Sequence, residues 1–251
     1  MLDTIRHDDI LELRLDRPPA NALDQALIAS LRRGVEAAPR EGARALVVSG
    51  AQGMFSGGLD VPSLVGLDHT AITHAWQDFY DLMKALATSP IPVAAAVTGH
   101  SPAGGAVIAI CSDYRVMAQG DFKIGLNEVR VGIALPPVIL QLLRRIVGDR
   151  QAERLGVGGL MIDAQEALRV GLVDELAPVE GVIPVALHWC RTMLELPPNA
   201  MATTRRLARA PIAELFAEPR GEVEQVVRDW GSEETQAALA ALIARLRAKK
   251  R

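Results

Sequence analysis

Apolar and polar positions follow a mixture of strand-like and helix-like spacing in the first half of the chain, and an almost purely helical spacing later. Ile10–Leu15 alternates apolar with charged residues, as a half-buried strand does. Residues 17–22 form a proline-containing loop, and Asp24 is placed to cap a helix reaching about Ala37. Residues 45–48 predict a short buried strand, 53–58 a glycine-rich loop, and 71–87 a helix with Pro90 just beyond it. Residues 92–97 predict another buried strand, followed by a loop at Gly99 and a helix from about Gly104. Residues 113–117 and 122–124 are further strand candidates. After about Pro137 the spacing predicts helices over 138–147, 151–156 and 164–169, one short strand over 173–176, and three or four helices in the tail, 183–250. Strand–helix units followed by helices predict an α/β core over residues 1–180 with an α-helical C-terminal part over 181–251. No internal sequence repeat is visible.

The stretch from Ile91 to Cys111 carries no formal charge and imitates a membrane span. Pro92, Gly99, Pro102, Gly104 and Gly105 interrupt it, so a strand, a tight loop and a buried helix fit better. The polar start, with Asp3, Asp8 and Asp9, lacks the apolar centre of a secretory leader. A net charge of -3 argues against nucleic acid as the main partner. Cys111 and Cys190 give neither a disulfide framework nor a metal spacing, which suits a reducing, cytoplasmic setting. The histidines form no ligand pair, so no metal site is expected. The basic stretch 245–251 fits a solvated helix terminus.

Three segments carry candidate chemistry: Phe55-Ser56-Gly57-Gly58-Leu59-Asp60, Gly99-His100-Ser101-Pro102-Ala103-Gly104-Gly105, and Ile124-Gly125-Leu126-Asn127-Glu128. Each follows a predicted apolar strand, where open sheets place ligand sites. Glycine lets backbone approach a ligand, and a loop entering a helix presents free N–H groups. Two such loops would make an oxyanion hole. Gly99-His100-Ser101 also imitates a nucleophile elbow. The next residue is Pro102, which has no N–H to give to an oxyanion, so a serine hydrolase is disfavoured.

In this order and spacing the three segments resemble the crotonase, or enoyl-CoA hydratase/isomerase, family. Arg17-Pro18 with Asn21-Ala22-Leu23 and Gly171-Leu172-Val173-Asp174 extend the likeness over nearly the whole chain. The resemblance implies a spiral of ββα units and a helical C-terminal part. It implies an acyl-CoA thioester substrate, with coenzyme A belonging to the substrate and no separate cofactor. The implied oxyanion donors are the backbone N–H groups of Gly57 and Gly104, with Gly57, Gly58, Leu59, Asp60, Val61 and Gly104 along the substrate path. A lysine found in some relatives after the first loop is replaced by Val61-Pro62-Ser63, leaving the phosphate contacts open.

Hydratases of this family hold a water between two glutamates. Here one of those positions is Val107, and the other matches Glu128. A single carboxylate suits a Δ3,Δ2-enoyl-CoA isomerase of fatty acid β-oxidation type, in which Glu128 moves a proton and needs a raised pKa. A hydratase, another reaction on an acyl-CoA thioester, and a non-catalytic CoA-binding or assembly subunit are the alternatives. The family likeness also implies a homotrimer or dimer of trimers. The apolar positions Ala237, Leu239, Leu242, Ile243 and Leu246 are expected to bury a helix face in that assembly.

Overall fold

The N-terminal segment that the polar composition leaves without structure is a strand. In the computed structural model, which describes residues 1–217 and 220–248, β1 (Leu2–His7) pairs antiparallel with β2 (Ile10–Leu15). Strand β1 is an edge strand, so its charged residues remain hydrated and its apolar alternation is weak. Helix α1 (Gln25–Ala37) starts where expected, because the Asp24 carboxylate accepts from the Leu27 N–H at 2.8 Å.

From β3 the chain repeats one manoeuvre three times. Strand β3 (Ala45–Ser49) steps to the two-residue β4 (Gly53–Met54), then to α2 (Val61–Leu64) and α3 (His69–Ala87). Strand β5 (Val93–Val97) steps to β6 (Gly99–Pro102), then to α4 (Gly104–Cys111). Strand β7 (Tyr114–Ala118) steps to β8 (Lys123–Gly125), then to a 3-10 turn, Glu128–Val131. The first strand of each step joins one sheet and the second joins another. The larger sheet has the order β1-β2-β3-β5-β7-β10, parallel from β2 onward. The smaller has the order β4-β6-β8-β9, with β4, β6 and β8 parallel. The remaining elements are α5 (Pro137–Val147), α6 (Asp149–Val157), β9 (Ile162–Asp163), α7 (Ala164–Arg169), β10 (Glu175–Ala177), α8 (Val182–Glu195), α9 (Pro198–Leu215), α10 (Arg220–Trp230) and α11 (Glu233–Ala248). This is the crotonase-like spiral of ββα units with a helical C-terminal part.

Both faces of the large sheet are covered, which explains its uninterrupted apolar strands. Leu13, Val48, Ala95 and Met117 face the main core under α1, α3, α4 and α5. Val47, Ala94 and Val116 face a second layer closed by Val182, Ala186 and Cys190 of α8. The uncharged stretch from Ile91 divides into β5, β6 and α4. No described helix is long and apolar enough to cross a membrane.

The expected loop at Gly99 is instead strand β6, lying against β4 so closely that a Cβ on Gly99 would stand 2.0 Å from the Gly53 carbonyl carbon. Only glycine permits that pairing. The strand expected over 173–176 lies slightly later, as β10. Of the basic stretch, Arg245 and Arg247 occupy the last turn of α11, whereas 249–251 lie outside the described residues.

Candidate active site

Because β4, β6 and β8 run parallel and side by side, the three segments that follow them emerge at one edge of the small sheet. They border a cleft of about 880 Å³. Gly57, Leu59, Asp60 and Val61 come from the first segment, Pro102, Ala103 and Gly104 from the second, and Asn127 and Glu128 from the third. Gly58 is buried and does not border the cleft, contrary to its expected place on the substrate path. Its carbonyl accepts from the Leu23 N–H at 2.8 Å, and its N–H donates to Ser56 Oγ at 3.2 Å.

The expected oxyanion donor at Gly57 is also corrected. The Gly57 N–H donates to the Ala20 carbonyl at 2.7 Å and is not free for a ligand. The next available amide is that of Leu59, which has no acceptor among the described residues. The Gly104 N–H lies in the first turn of α4, where the helix offers it no carbonyl, and it too has none among the described residues. The two amides are neighbours. A Cβ on Gly104 would lie 3.3 Å from the Leu59 nitrogen, and one on Gly58 would lie 3.1 Å from the Gly104 nitrogen. Gly58, at φ +81, and Ala103, at φ 47, turn the two loops toward each other. Leu59 and Gly104 therefore form the pair of converging donors.

The loop 17–24 fixes this geometry. Asn21 is buried; its Oδ1 accepts from the Arg17 N–H at 2.8 Å, and its Nδ2 donates to the Met54 and Phe55 carbonyls at 3.2 and 3.1 Å. The Asp60 N–H donates to the Leu23 carbonyl at 3.0 Å. Arg17 binds the carboxylates of Asp24 at 2.9 Å and Asp60 at 2.6 Å. From the sequence these residues stand out only as part of the family likeness; their shared task becomes visible once the first loop is in place.

Glu128 opens the 3-10 turn and is 8% exposed. Its Oε2 has no hydrogen-bond partner among the described residues. Burial pushes its carboxyl up to about 7, against a smaller downward pull from its own backbone N–H. Among the described residues the acids bordering the cleft are Asp60 and Glu128, and Asp60 is paired with Arg17. Glu128 is thus the one unpaired carboxylate there among the described residues. Val107 is fully buried in the main core and adds no polar group.

The elbow-like serine is displaced from any such role. Ser101 is fully buried and does not border the cleft, while His188 is exposed on α8, beyond the other face of the large sheet. Among the described residues no group of His, Cys, Asp and Glu side chains could hold a metal.

The tail contributes a wall that the sequence assigns elsewhere. Leu242, Ile243 and Leu246 of α11 border the cleft, and Leu239 is buried within the same chain. The stripe expected to face another subunit is used mainly inside this one. Thr235 Oγ1 anchors the start of α11 to the Gly132 carbonyl, just beyond the 3-10 turn. Trp76, Phe79 and Trp230 line the cleft as well, and no motif marks them.

A spiral of ββα turns that gathers two unpaired backbone donors and one buried carboxylate defines the crotonase class of site. A sequence model of enoyl-CoA hydratase/isomerase matches residues 6–239, and the chain belongs to that family. It is 29% identical to the mitochondrial enoyl-CoA delta isomerase 1 of Mus musculus, over 95% of this chain and 84% of that protein. It is 31% identical to a probable enoyl-CoA hydratase, echA17, of Mycobacterium avium, over 88% and 84%. The crystal structure of human mitochondrial delta3-delta2-enoyl-CoA isomerase superposes with a TM-score of 0.95 at 28% identity, covering 100% of this chain and 99% of that one. An enoyl-CoA hydratase, EchA3, from Mycobacterium ulcerans gives 0.83 at 26% identity, over 92% and 99%.

Proposed function

We propose that the protein isomerises 3-enoyl-CoA to 2-trans-enoyl-CoA, a reaction of fatty acid metabolism. The observation that carries this reading is the solitary, buried Glu128 beside the free amides of Leu59 and Gly104. Glu128 removes a proton from C2 of the acyl group, and the electron pair moves into the thioester carbonyl. The resulting dienolate oxygen accepts from the Leu59 and Gly104 N–H groups. Protonated Glu128 then delivers the same proton to C4, leaving the double bond between C2 and C3. The substrate gains and loses one proton, so the step balances without an oxidant, a water or a group other than the thioester.

A carboxyl with its pKa near 7 is matched to this task, since it can both accept and return a proton at neutral pH. Hydration would require a second group to position water, and the position that resembles the second glutamate of the family's hydratases is Val107, which offers none. Named relatives include both isomerases and hydratases, so the test must separate the two reactions. Conjugation raises ultraviolet absorbance when a 3-enoyl-CoA is isomerised, and hydration of a 2-enoyl-CoA lowers it. We expect kcat/KM for isomerisation to exceed that for hydration on chains of equal length. Equal or faster hydration overturns the isomerase reading, and binding without either reaction supports a non-catalytic CoA-binding role.

Assembly as a trimer or dimer of trimers belongs to the same proposal. With Leu239 buried and Leu242, Ile243 and Leu246 facing the cleft, its contacts fall on other surfaces.

A further inference from the structure

We infer that Trp230 limits the length of the acyl chain that the cleft holds. The inference deepens the acyl-CoA reading above and rests on it. The cleft is graded from mouth to interior. Leu246 is 41% exposed, whereas Trp76, Phe79, Ile139 and Trp230 are each no more than 5% exposed. The buried four make the inner end, opposite the open mouth through which a bulky carrier must project.

That inner end is largely carbon. Its polar atoms are the indole nitrogens of Trp76 and Trp230, and the first is shielded from solvent and has no acceptor among the described residues. The Trp76 ring meets Phe79 edge-on at 6.2 Å and 74°, and Trp230 at 6.1 Å and 73°. The three rings pack as one group that closes this end.

Trp230 is the part of this wall that stands at a helix end. Trp76 and Phe79 belong to α3, which packs against α1 and α4. Trp230 ends α10 and stands where the chain turns into α11, with its carbonyl accepting from Gln236 Nε2 at 2.7 Å. Shortening its side chain extends the inner end while leaving that backbone contact in place. Each further methylene that becomes buried should tighten binding about fourfold.

The test measures affinity for saturated acyl-CoA thioesters of increasing chain length, from six to sixteen carbons, by titration calorimetry on the full chain. Saturated chains bind without reacting, so the result is independent of the isomerase assignment. Wild-type affinity should rise with length and then stop rising. In Trp230→Ala that break should move outward by two or more carbons, and Trp230→Met should move it the same way by less. An unmoved break in the folded Met variant overturns the inference and leaves the acyl-CoA reading standing. Failure of every acyl-CoA to bind the wild type overturns both.

Discussion

The guanidinium of Arg17 holds the Asp60 carboxylate at 2.6 Å, and so pairs the one other acid that borders the cleft among the described residues. The same contact ties the loop 17–24 to the segment that carries the Leu59 amide. Arg17→Ala should therefore lower isomerase kcat/KM about tenfold or more, the scale of a lost charge-assisted contact. Arg17→Lys should recover only part of this, because an ammonium cannot bridge Asp24 and Asp60 with the same fork. Wild-type kinetics for Arg17→Ala would show that the pair is dispensable.

Glu128→Gln should abolish proton transfer, lowering kcat by roughly 10²–10⁴-fold while acyl-CoA binding persists. In the wild type, kcat/KM should rise with pH through about 7 and level off above it, as the buried carboxyl becomes the base. Stability should respond in the opposite sense. The folded-state pKa lies above the unfolded one, so the folded protein binds more protons between the ordinary glutamate value of 4.5 and about 7, and loses stability as pH rises through that window. The glutamine variant escapes that loss. It should melt higher than wild type at pH 8, by an amount that shrinks toward zero below pH 4.5. A kinetic midpoint near pH 4.5 would remove burial as the tuning force.

Gly58→Ala should damage catalysis more than Gly57→Ala, although Gly57 borders the cleft and Gly58 does not. A methyl on Gly58 would meet Ala103 Cβ at 3.0 Å and the Gly104 nitrogen at 3.1 Å, from a backbone at φ +81. It pushes on one oxyanion donor directly. Losing such a donor costs about 10²-fold or more in kcat. A methyl on Gly57 meets only Ala20, at 3.1 and 3.3 Å, and should cost less than tenfold. Steady-state kinetics of the two folded variants decide the order.

Val107→Glu should not create a hydratase. The side chain is fully buried in the main core, so a carboxylate there is desolvated without a partner and should cost several kcal/mol of stability. Thermal melting and a hydration assay check this together. Appreciable hydration by a stable variant would show that the position reaches the cleft.

Removing α11 from Glu233 onward should abolish activity, because it strips Leu242, Ile243 and Leu246 from the cleft and uncovers apolar surface. Sedimentation of the intact chain tests the proposed trimer. A monomer at all concentrations would discard it, and a truncated protein with normal turnover would show the wall to be unnecessary.

The strands and helices that bury strong apolar patterns are legible in the sequence: β3, β5, α1, α3 and α4 all lie close to where spacing places them. Strand β1 is not, because an edge strand needs few apolar residues, and β6 is not, because its Gly99 and Pro102 are turn residues elsewhere. The threefold recurrence of the ββα step leaves no repeat in the sequence. Each turn keeps the backbone path while different side chains fill the layer it meets. Glu128 could be picked out because the family likeness marks its position and its chemistry is written in residue type. The donor at Leu59 could not, since every residue but proline has an N–H, and only the bond from Gly57 to Ala20 shows which amide is already engaged.

The position of α11 also orders events in time. A chain made from its N-terminus carries the segments of both sheets, the two amides and Glu128 before residues 233–248 exist. The residues of the reaction centre are made early, but the apolar wall of the cleft is complete only with the late-made Leu242 and Ile243. The last residues to be made thus decide when the cleft can enclose anything.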